Sequence, residues 1–447
     1  MGEFGVVRRQ FGHRARLALS PAEIRVMDDQ AHAARTLWNC LHSWWQMMPK
    51  GKRTLAGADA AIRQARKDLD YLAVLPAQAA QAVLKTYHRA WVNCWEGRAQ
   101  EPTYKGRFRA PMSVDIPQGR DLNIVRVHRR WGMVNIPKVG RVRFRWTKDL
   151  PVGKRANQEN RITGARLVKD ALGWHIAFRV QTIERAPGPH QGPEVGIDAG
   201  VSIPLALSNG DHQDHGRATW TPGGTSDRDK WLNADEKARL LRLEHKAARL
   251  KQHRKKGERT SNRLRAVYDQ IRALRAKAKR RAEDWQHKTT TYLAQTYGVI
   301  VVERLNILGM TKAPAPRPDP DNAGAFLHNG AAAKAGLNRA IAQEAWGRTV
   351  TMLTYKTDRC GGRLVKVPAP YTSQRCSACG FTVPGSRASQ ELFVCKNPDC
   401  GWTANADWNA ARNILHLYRI GHVVVEVPAA GRRGRRAGKT VKPTAAM

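Results

Sequence analysis

Two sets of residues in this chain have types and spacings suited to chemistry. The first is four cysteines: Cys376 and Cys379 stand as CxxC, and Cys395 and Cys400 as CxxxxC about fifteen residues further on. Each short pair turns tightly enough to offer two thiolates to one tetrahedral ion, which is the ligand pattern of a Cys₄ zinc ribbon. The competing account is two disulfides or unrelated buried thiols. The opening MGEFGVVRRQFGH carries no apolar stretch of the signal-peptide kind, so a reducing cytoplasm and metal binding are expected. With all four positions filled by protein, the zinc would be structural. The second set is three acids at the ends of expected elements: Asp198 after a strand, Glu303 at the end of the apolar run Val299–Val302, and Asp407 at the start of an alanine-rich helix. Each alone reads as a turn, strand-end or helix-start acid. Together, in a chain rich in positive charge, they read as a site for two Mg²⁺ ions of the phosphodiester-hydrolysing kind.

That charge is the other strong signal. The 447 residues carry 77 Lys and Arg against 37 Asp and Glu, a formal +40. Such an excess implies a polyanionic partner, nucleic acid first. A membrane-spanning role is excluded by the lack of any run of eighteen apolar residues. Residues 237–281 alone hold 18 basic residues against 3 acidic ones. Like charges at i,i+4 destabilise a helix, so a bound anion is expected there.

The elements that must position these residues fall into two halves. Phe11–Leu19 reads as a strand, and Ser20-Pro21-Ala22-Glu23 as a helix start with a capping box. The helix that follows carries an apolar stripe through Trp38 and Trp45 to Met48. A second helical region covers Thr54–Leu75, and a third follows Pro76 with Tyr87, Trp91 and Cys94 in its stripe; Trp44 and Trp95 fall off theirs. From Glu101 the period becomes two. Ile124–Ile136 reads as a hairpin, and 141–146 strictly alternates, placing Arg141, Arg143 and Arg145 on one face, either a solvated strand face or, since their mutual repulsion favours an anion there, phosphate contacts. Residues 186–193 have linker composition. The second half is expected to contain two strands over Val195–Leu207, a basic helical hairpin, a helix from Trp285 to Tyr297, a buried strand at Val299–Val302 and a helix over Leu337–Leu353.

At the acidic residues the chain resembles a known family. VGIDAGVSIPLALSNG is similar to the first RuvC motif, VIVVERLNILGM to the second and ADWNAARNIL to the third. RRAEDWQHKTTTYLAQTYG and YKTDRCGGRLVKVPAPYTSQRCSACG resemble TnpB transposon proteins and the compact type V CRISPR effectors. LPAQAAQAVLKTYHRAW is like the family's recognition-lobe helix, and YKGRFR like the start of its wedge barrel. The CxxxxC pair departs from the CxxC of many relatives, and an alanine precedes Asp407 where an acid is common.

The resemblance implies a multidomain chain of α+β and α/β parts: a wedge β-barrel with an inserted helical recognition domain, then an RNase H-like (RuvC) nuclease domain with an inserted zinc ribbon. The implied domains are wedge at 1–19 and 101–186, recognition at 20–100, linker at 187–193, nuclease at 194–367 and 405–430 with a hairpin at 235–282, ribbon at 368–404, and a disordered basic tail at 431–447. Asp198, Glu303 and Asp407 become the catalytic, Mg²⁺-binding residues, and Cys376, Cys379, Cys395 and Cys400 the ligands of one zinc. Gln78 and Gln81 become either readers of a short duplex motif or solvated helix positions, with Lys105, Arg107 and the three arginines as backbone contacts. The implied function is an RNA-guided DNA endonuclease, with a CRISPR effector placed before a transposon-borne TnpB and a guided repressor. Its partners are guide RNA, target duplex and the displaced single strand, in a prokaryotic cytoplasm, as monomer or dimer.

Overall fold

The computed structural model describes residues 5–107, 110–153, 156–216, 230–252, 257–322, 324–389 and 391–424. The expected tail at 431–447 lies outside them, as do Phe108 and Arg109. The fold is mixed α+β in two compact units, 5–185 and 186–424 within the described residues. No helix among these residues is long and apolar enough to cross a membrane.

In the first unit, strand β1 (Val6–Ala18) leads into helix α1 (Pro21–Met47). The expected capping box is present: Ser20 accepts from the Glu23 N–H, and the Glu23 carboxylate accepts from the Ser20 N–H at 2.6 Å. Such a cap contributes about 0.5–2 kcal/mol. Helices α2 (Leu55–Asp68), α3 (Asp70–Ala73) and α4 (Ala77–Trp95) follow, then strands β2 (Met112–Ile116), β3 (Val125–His128), β4 (Trp131–Ile136), β5 (Gly140–Arg145), β6 (Arg161–Asp170) and β7 (Gly173–Arg185). The strands form one antiparallel sheet in the order β2-β6-β7-β1-β5-β4-β3. Their apolar faces and the stripes of α1 and α4 share a single core, with Phe144, Phe178, Met27, Leu37 and Tyr87 fully buried. Each such side chain contributes about 1.5–3 kcal/mol by leaving water. Trp38, Trp45 and Trp91 are in this core as expected, while Trp95 is exposed.

The second unit contains strands β8 (Glu194–Asp198), β9 (Leu205–Leu207) and β10 (His212–Gln213), helices α5 (Ala234–Gln252) and α6 (Asn262–Thr296), and strand β11 (Val299–Glu303). After the short helix α7 (Ile307–Met310) and the small pair β12 (Arg317–Pro318) and β13 (Phe326–Leu327) come helices α8 (Ala331–Glu344) and α9 (Trp346–Arg359) and strand β14 (Arg363–Val367). Strands β15 (Leu392–Val394) and β16 (Thr403–Asn405) lead to helix α10 (Ala406–Arg419). The main sheet runs β10-β9-β8-β11-β14; its first pairs are antiparallel, and β8-β11 and β11-β14 are parallel.

Two helix expectations are corrected here. The basic hairpin and the helix after Trp285 are not separate, because α6 runs unbroken for 35 residues through that point. Its lower half forms a hairpin with α5 over Leu240, Leu243, Leu264, Val267 and Ile271, and its upper half covers the sheet with Leu293. The hairpin offsets part of its own charge: Arg275 pairs with Glu244 at 2.7 Å, and Lys277 and Arg281 both pair with Glu236. Conversely, the expected helix over Leu337–Leu353 is two helices. Ala345 adopts a left-handed φ of 50° between them, held by the flanking groups: the Glu344 carboxylate is buried against Lys230, and the Trp346 indole donates to the Gly200 carbonyl.

Candidate active site and metal centre

The parallel pairing of β8 with β11 places Ile197 opposite Val302, so Asp198 and Glu303 end adjacent strands at equivalent positions. Side chains alternate along a strand. Val195, Ile197, Ile300 and Val302 pack beneath α6 and α9. Gly196, Asp198, Val301 and Glu303 therefore face the other side, where α10 lies on Val301 and Val367 through Ile414 and Leu415. Gly196 makes this approach possible, since a methyl there would lie 2.2 Å from the Ala411 carbonyl oxygen. The C-terminal ends of parallel strands are where open α/β sheets place their ligands.

The N-terminus of α10 brings in the third acid. The Asn405 side chain accepts from the N–H groups of Asp407 and Trp408 at 3.0 and 3.1 Å. The Trp408 indole donates to the Ser208 carbonyl at 3.1 Å, tying the helix start to the end of β9. Asp407 is buried, and Arg387 donates to its carboxylate at 2.7 Å. Glu303 accepts from the Thr372 hydroxyl.

Burial, then the facing Glu303 and Asp407, push Asp198 well above the usual carboxylate range; Arg387 and the Ala199 N–H oppose them. Glu303 is raised by burial against the Thr372 hydrogen bond, and Asp407 by burial against Arg387. Three enclosed carboxylates are each disfavoured as an anion, a cost that a hard divalent cation bound beside them would relieve.

The segment between β14 and α10 carries the four cysteines. All four cysteine Sγ atoms lie within 4.8 Å of one another, close to the spacing of about 3.8 Å that thiolates 2.3 Å from a tetrahedral zinc must have. The thiols are free, which removes the disulfide account. The Phe381 N–H draws the Cys379 thiol down to about 6, and burial pushes Cys395 up to about 12. A metal ion would deprotonate the full set. Phe393, beneath Cys376 and Cys395, supplies most of the small core.

Several contacts here were not foreseen. Asn409 and Asn413, one turn apart on α10, both donate to the Arg375 carbonyl, at 2.8 and 2.6 Å, and Asn413 also donates to the Thr372 carbonyl. The helix bearing Asp407 thus grips the strand-to-ribbon segment that supplies Thr372 to Glu303. Two asparagines at i,i+4 among Ala410, Ala411 and Ile414 signal buried polar work; nothing in the sequence marks Arg387.

The expected nucleic-acid contacts lie in the first unit. Arg141, Arg143 and Arg145 are exposed and alternate with buried Val142, Phe144 and Trp146. Two of these guanidinium groups also sit over the Trp131 ring, Arg145 at 4.4 Å and Arg143 at 5.7 Å. Lys105 packs 3.4 Å from the centre of the Trp38 ring, and burial lowers it to about 8. Its backbone exchanges hydrogen bonds with the Asn39 side chain. Arg107 is exposed. Gln78 donates to Gln118 at 3.2 Å and Gln81 to Asp59, so each expected reader already has a partner.

Comparison with known proteins sets this geometry in a lineage. The chain is 30% identical over 356 residues to InsQ of Escherichia coli (strain K12), whose name places it among RNA-guided DNA endonucleases, covering 78% of this chain and 76% of that protein. The chain belongs to the TnpB and compact type V effector family. A family model described as "Cas12f1-like, TNB domain" matches residues 346–414, from the start of α9 into α10. Over 74 residues, 17% of each chain, it is 48% identical to the CRISPR-associated endodeoxyribonuclease Cas12f1 of Sulfoacidibacillus thermotolerans. Its fold is similar to that in a cryo-EM structure of a Cas12f1–sgRNA–target DNA complex, with TM-score 0.50 at 15% identity over 89% of this chain and 83% of that one.

Proposed function

We propose that the chain is an RNA-guided DNA endonuclease that hydrolyses phosphodiester bonds at Asp198, Glu303 and Asp407. The observation that carries this reading is the convergence of three acids, from two adjacent strand ends and a helix start, with Asp198 raised first by burial and then by the facing Glu303 and Asp407. In this reading the second unit is an RNase H-like nuclease domain, with the ribbon held by one zinc on Cys376, Cys379, Cys395 and Cys400. The first unit is a wedge barrel with its recognition helices.

The three carboxylates would hold Mg²⁺, which supplies charge neutralisation at the scissile phosphate and an activated water. The protein's own part is orientation. Thr372 fixes Glu303, Arg387 holds Asp407, and the Asn409–Asn413 grip keeps both on one frame. Guide RNA and target DNA are the partners that the charge of +40 fits. Arg107, Arg141, Arg143 and Arg145 are placed to meet phosphates, with Lys105 supporting the surface beside Trp38. Gln78 and Gln81 would read the flanking motif only by exchanging their present partners for a base edge.

The test is cleavage of a target plasmid with Mg²⁺ and the RNA transcribed beside the gene. Asp198→Ala, Glu303→Ala and Asp407→Ala should each reduce cutting to background while RNA and target binding persist. Normal cutting by Asp198→Ala with a verified guide refutes the assignment. Two genetic settings fit. The likeness to InsQ runs along 356 residues, whereas the matches to Cas12f1 proteins span 74 and 103 residues. A repeat array beside the gene supports the CRISPR setting, and transposon ends support the TnpB one.

A further inference from the structure

The outward face of α4 carries Gln78, Gln81, Lys85, His88, Val92 and Trp95, spaced alternately by three and four residues. Its first two members were considered above as readers; the rest of the stripe has no role in the core. It ends at Trp95, which is 60% exposed. So large an apolar ring left that open is uncommon away from a binding surface. Trp95 is nonetheless well supported from behind. Its ring centre lies 5.9 Å from that of Trp91 and 6.3 Å from that of Trp45, tilted about 30° from parallel to each. The ring is thus held by a rigid aromatic base and presents its remaining area to solvent.

Beside it is a groove of about 500 Å³ lined by Lys85, His88, Arg89, Val92, Asn93 and Arg98 among others. No acidic residue lines it. Arg98 is tied to Glu96 and Asn93. Lys85 and Arg89 form no ion pair among the described residues, and His88 meets Trp95 edge to face at 6.4 Å. Unpaired cations six and ten residues before an exposed indole on the same helix, about two and three turns away, are the components of a single-strand nucleic-acid platform: a flat ring for a base and positive charge for phosphates further along the strand. A second copy of this chain fits poorly. A two-fold contact would set Lys85 and Arg89 of one copy near those of the other, with no acid in the groove to offset them.

We propose that α4 from Lys85 to Trp95 binds an unpaired stretch of nucleic acid, with Trp95 stacking on a base and Lys85 and Arg89 engaging phosphates further along the strand. The proposal rests on the nucleic-acid-binding part of the proposed function and is independent of the nuclease centre. RNA and DNA single strands share the required chemistry, so both are tested.

The experiment is photocrosslinking of the full-length chain to two 20-mer probes, oligouridine containing 4-thiouridine and oligothymidine containing 4-thiothymidine, followed by peptide mapping. An adduct on the peptide containing Trp95 is expected. Its yield should fall about fivefold or more in Trp95→Ala, as loss of one stacked base at about 1–3 kcal/mol implies, and recover in Trp95→Phe. The probe with the higher yield identifies the strand type. In Lys85→Ala/Arg89→Ala the slope of log affinity against log salt should become shallower by about 1.4, two contacts at about 0.7 each. The adduct should persist in Asp198→Ala, which separates this site from the nuclease centre: a wild-type chain that crosslinks at Trp95 but never cuts refutes the nuclease reading alone. Adducts elsewhere but none on this peptide overturn the proposal. So does a Trp95→Ala chain that keeps wild-type crosslinking, or one that changes from dimer to monomer in sedimentation with no Trp95 adduct in the wild type.

Discussion

Gly196→Ala gives a quantitative test of how the proposed nuclease centre is assembled. The added methyl would lie 2.2 Å from the Ala411 carbonyl oxygen, 2.8 Å from the Leu415 nitrogen and 2.9 Å from the Leu415 Cβ. Ordinary contact begins at 3.4 Å, so α10 must retreat by about 1.2 Å, the difference between 3.4 and 2.2 Å. All three opposing atoms belong to the helix backbone or its Cβ, so no side-chain rotation relieves the clash. Overpacking of this kind costs about 1–3 kcal/mol. The retreat moves Asp407, on α10, away from Asp198, two residues beyond the substitution on β8. A misplacement of about 1 Å at a reacting centre lowers rate about a hundredfold. Calorimetry should therefore show the transition of the unit at 186–424 moving to lower temperature, and guided plasmid cleavage should fall by about that factor with RNA binding retained. Gly12→Ala is the control, since its methyl would meet nothing within 4 Å. A Gly196→Ala chain with unchanged melting and cleavage would show that the close packing of α10 on β8 does not set the carboxylate geometry.

Two further outcomes follow from the charge and metal chemistry. Asp198→Asn should abolish cleavage and yet stabilise the metal-free protein near neutral pH. The folded state holds Asp198 above its ordinary carboxylate range, so it keeps a proton that the unfolded chain releases. Stability is therefore lost as pH rises from the ordinary range to the raised value, and is unaffected below about pH 3, where both states are protonated. Melting curves against pH should show the asparagine chain gaining on the wild type across that window, with added Mg²⁺ reversing the order; parallel curves refute the reasoning. Cys395→Ser should release the zinc, of which elemental analysis should find about one per wild-type chain, and unfold the ribbon, whose core is little more than Phe393, Trp402 and the thiols themselves. A wild-type protein without zinc would remove the metal centre.

Much of this was legible from residues a few positions apart. The cysteine pairs turn within themselves, and the four thiols do converge. The apolar run at Val299–Val302 could only be a buried strand, which put Glu303 at its end. The alternation of arginine with Val142 and Phe144 is present in β5, and Trp146 just beyond it is buried as well. In each case the information is local, because the period of a strand or the reach of a metal-binding turn is short.

Contacts between distant segments were not legible. Thr372 meets Glu303 across 69 residues, and Arg387 reaches Asp407 because the ribbon folds back onto α10. Gly196 looks like any glycine beside a strand end until α10 closes over it. The break at Ala345 depends on a lysine 115 residues earlier that buries Glu344, and no helical period within 337–353 could signal it. Gln78 and Gln81 had the right type and spacing for base reading, yet packing gave them Gln118 and Asp59 as partners. Periodicity tells which side of an element turns inward; which groups then meet is decided by packing between segments far apart in the chain, where each contact depends on all the others being made.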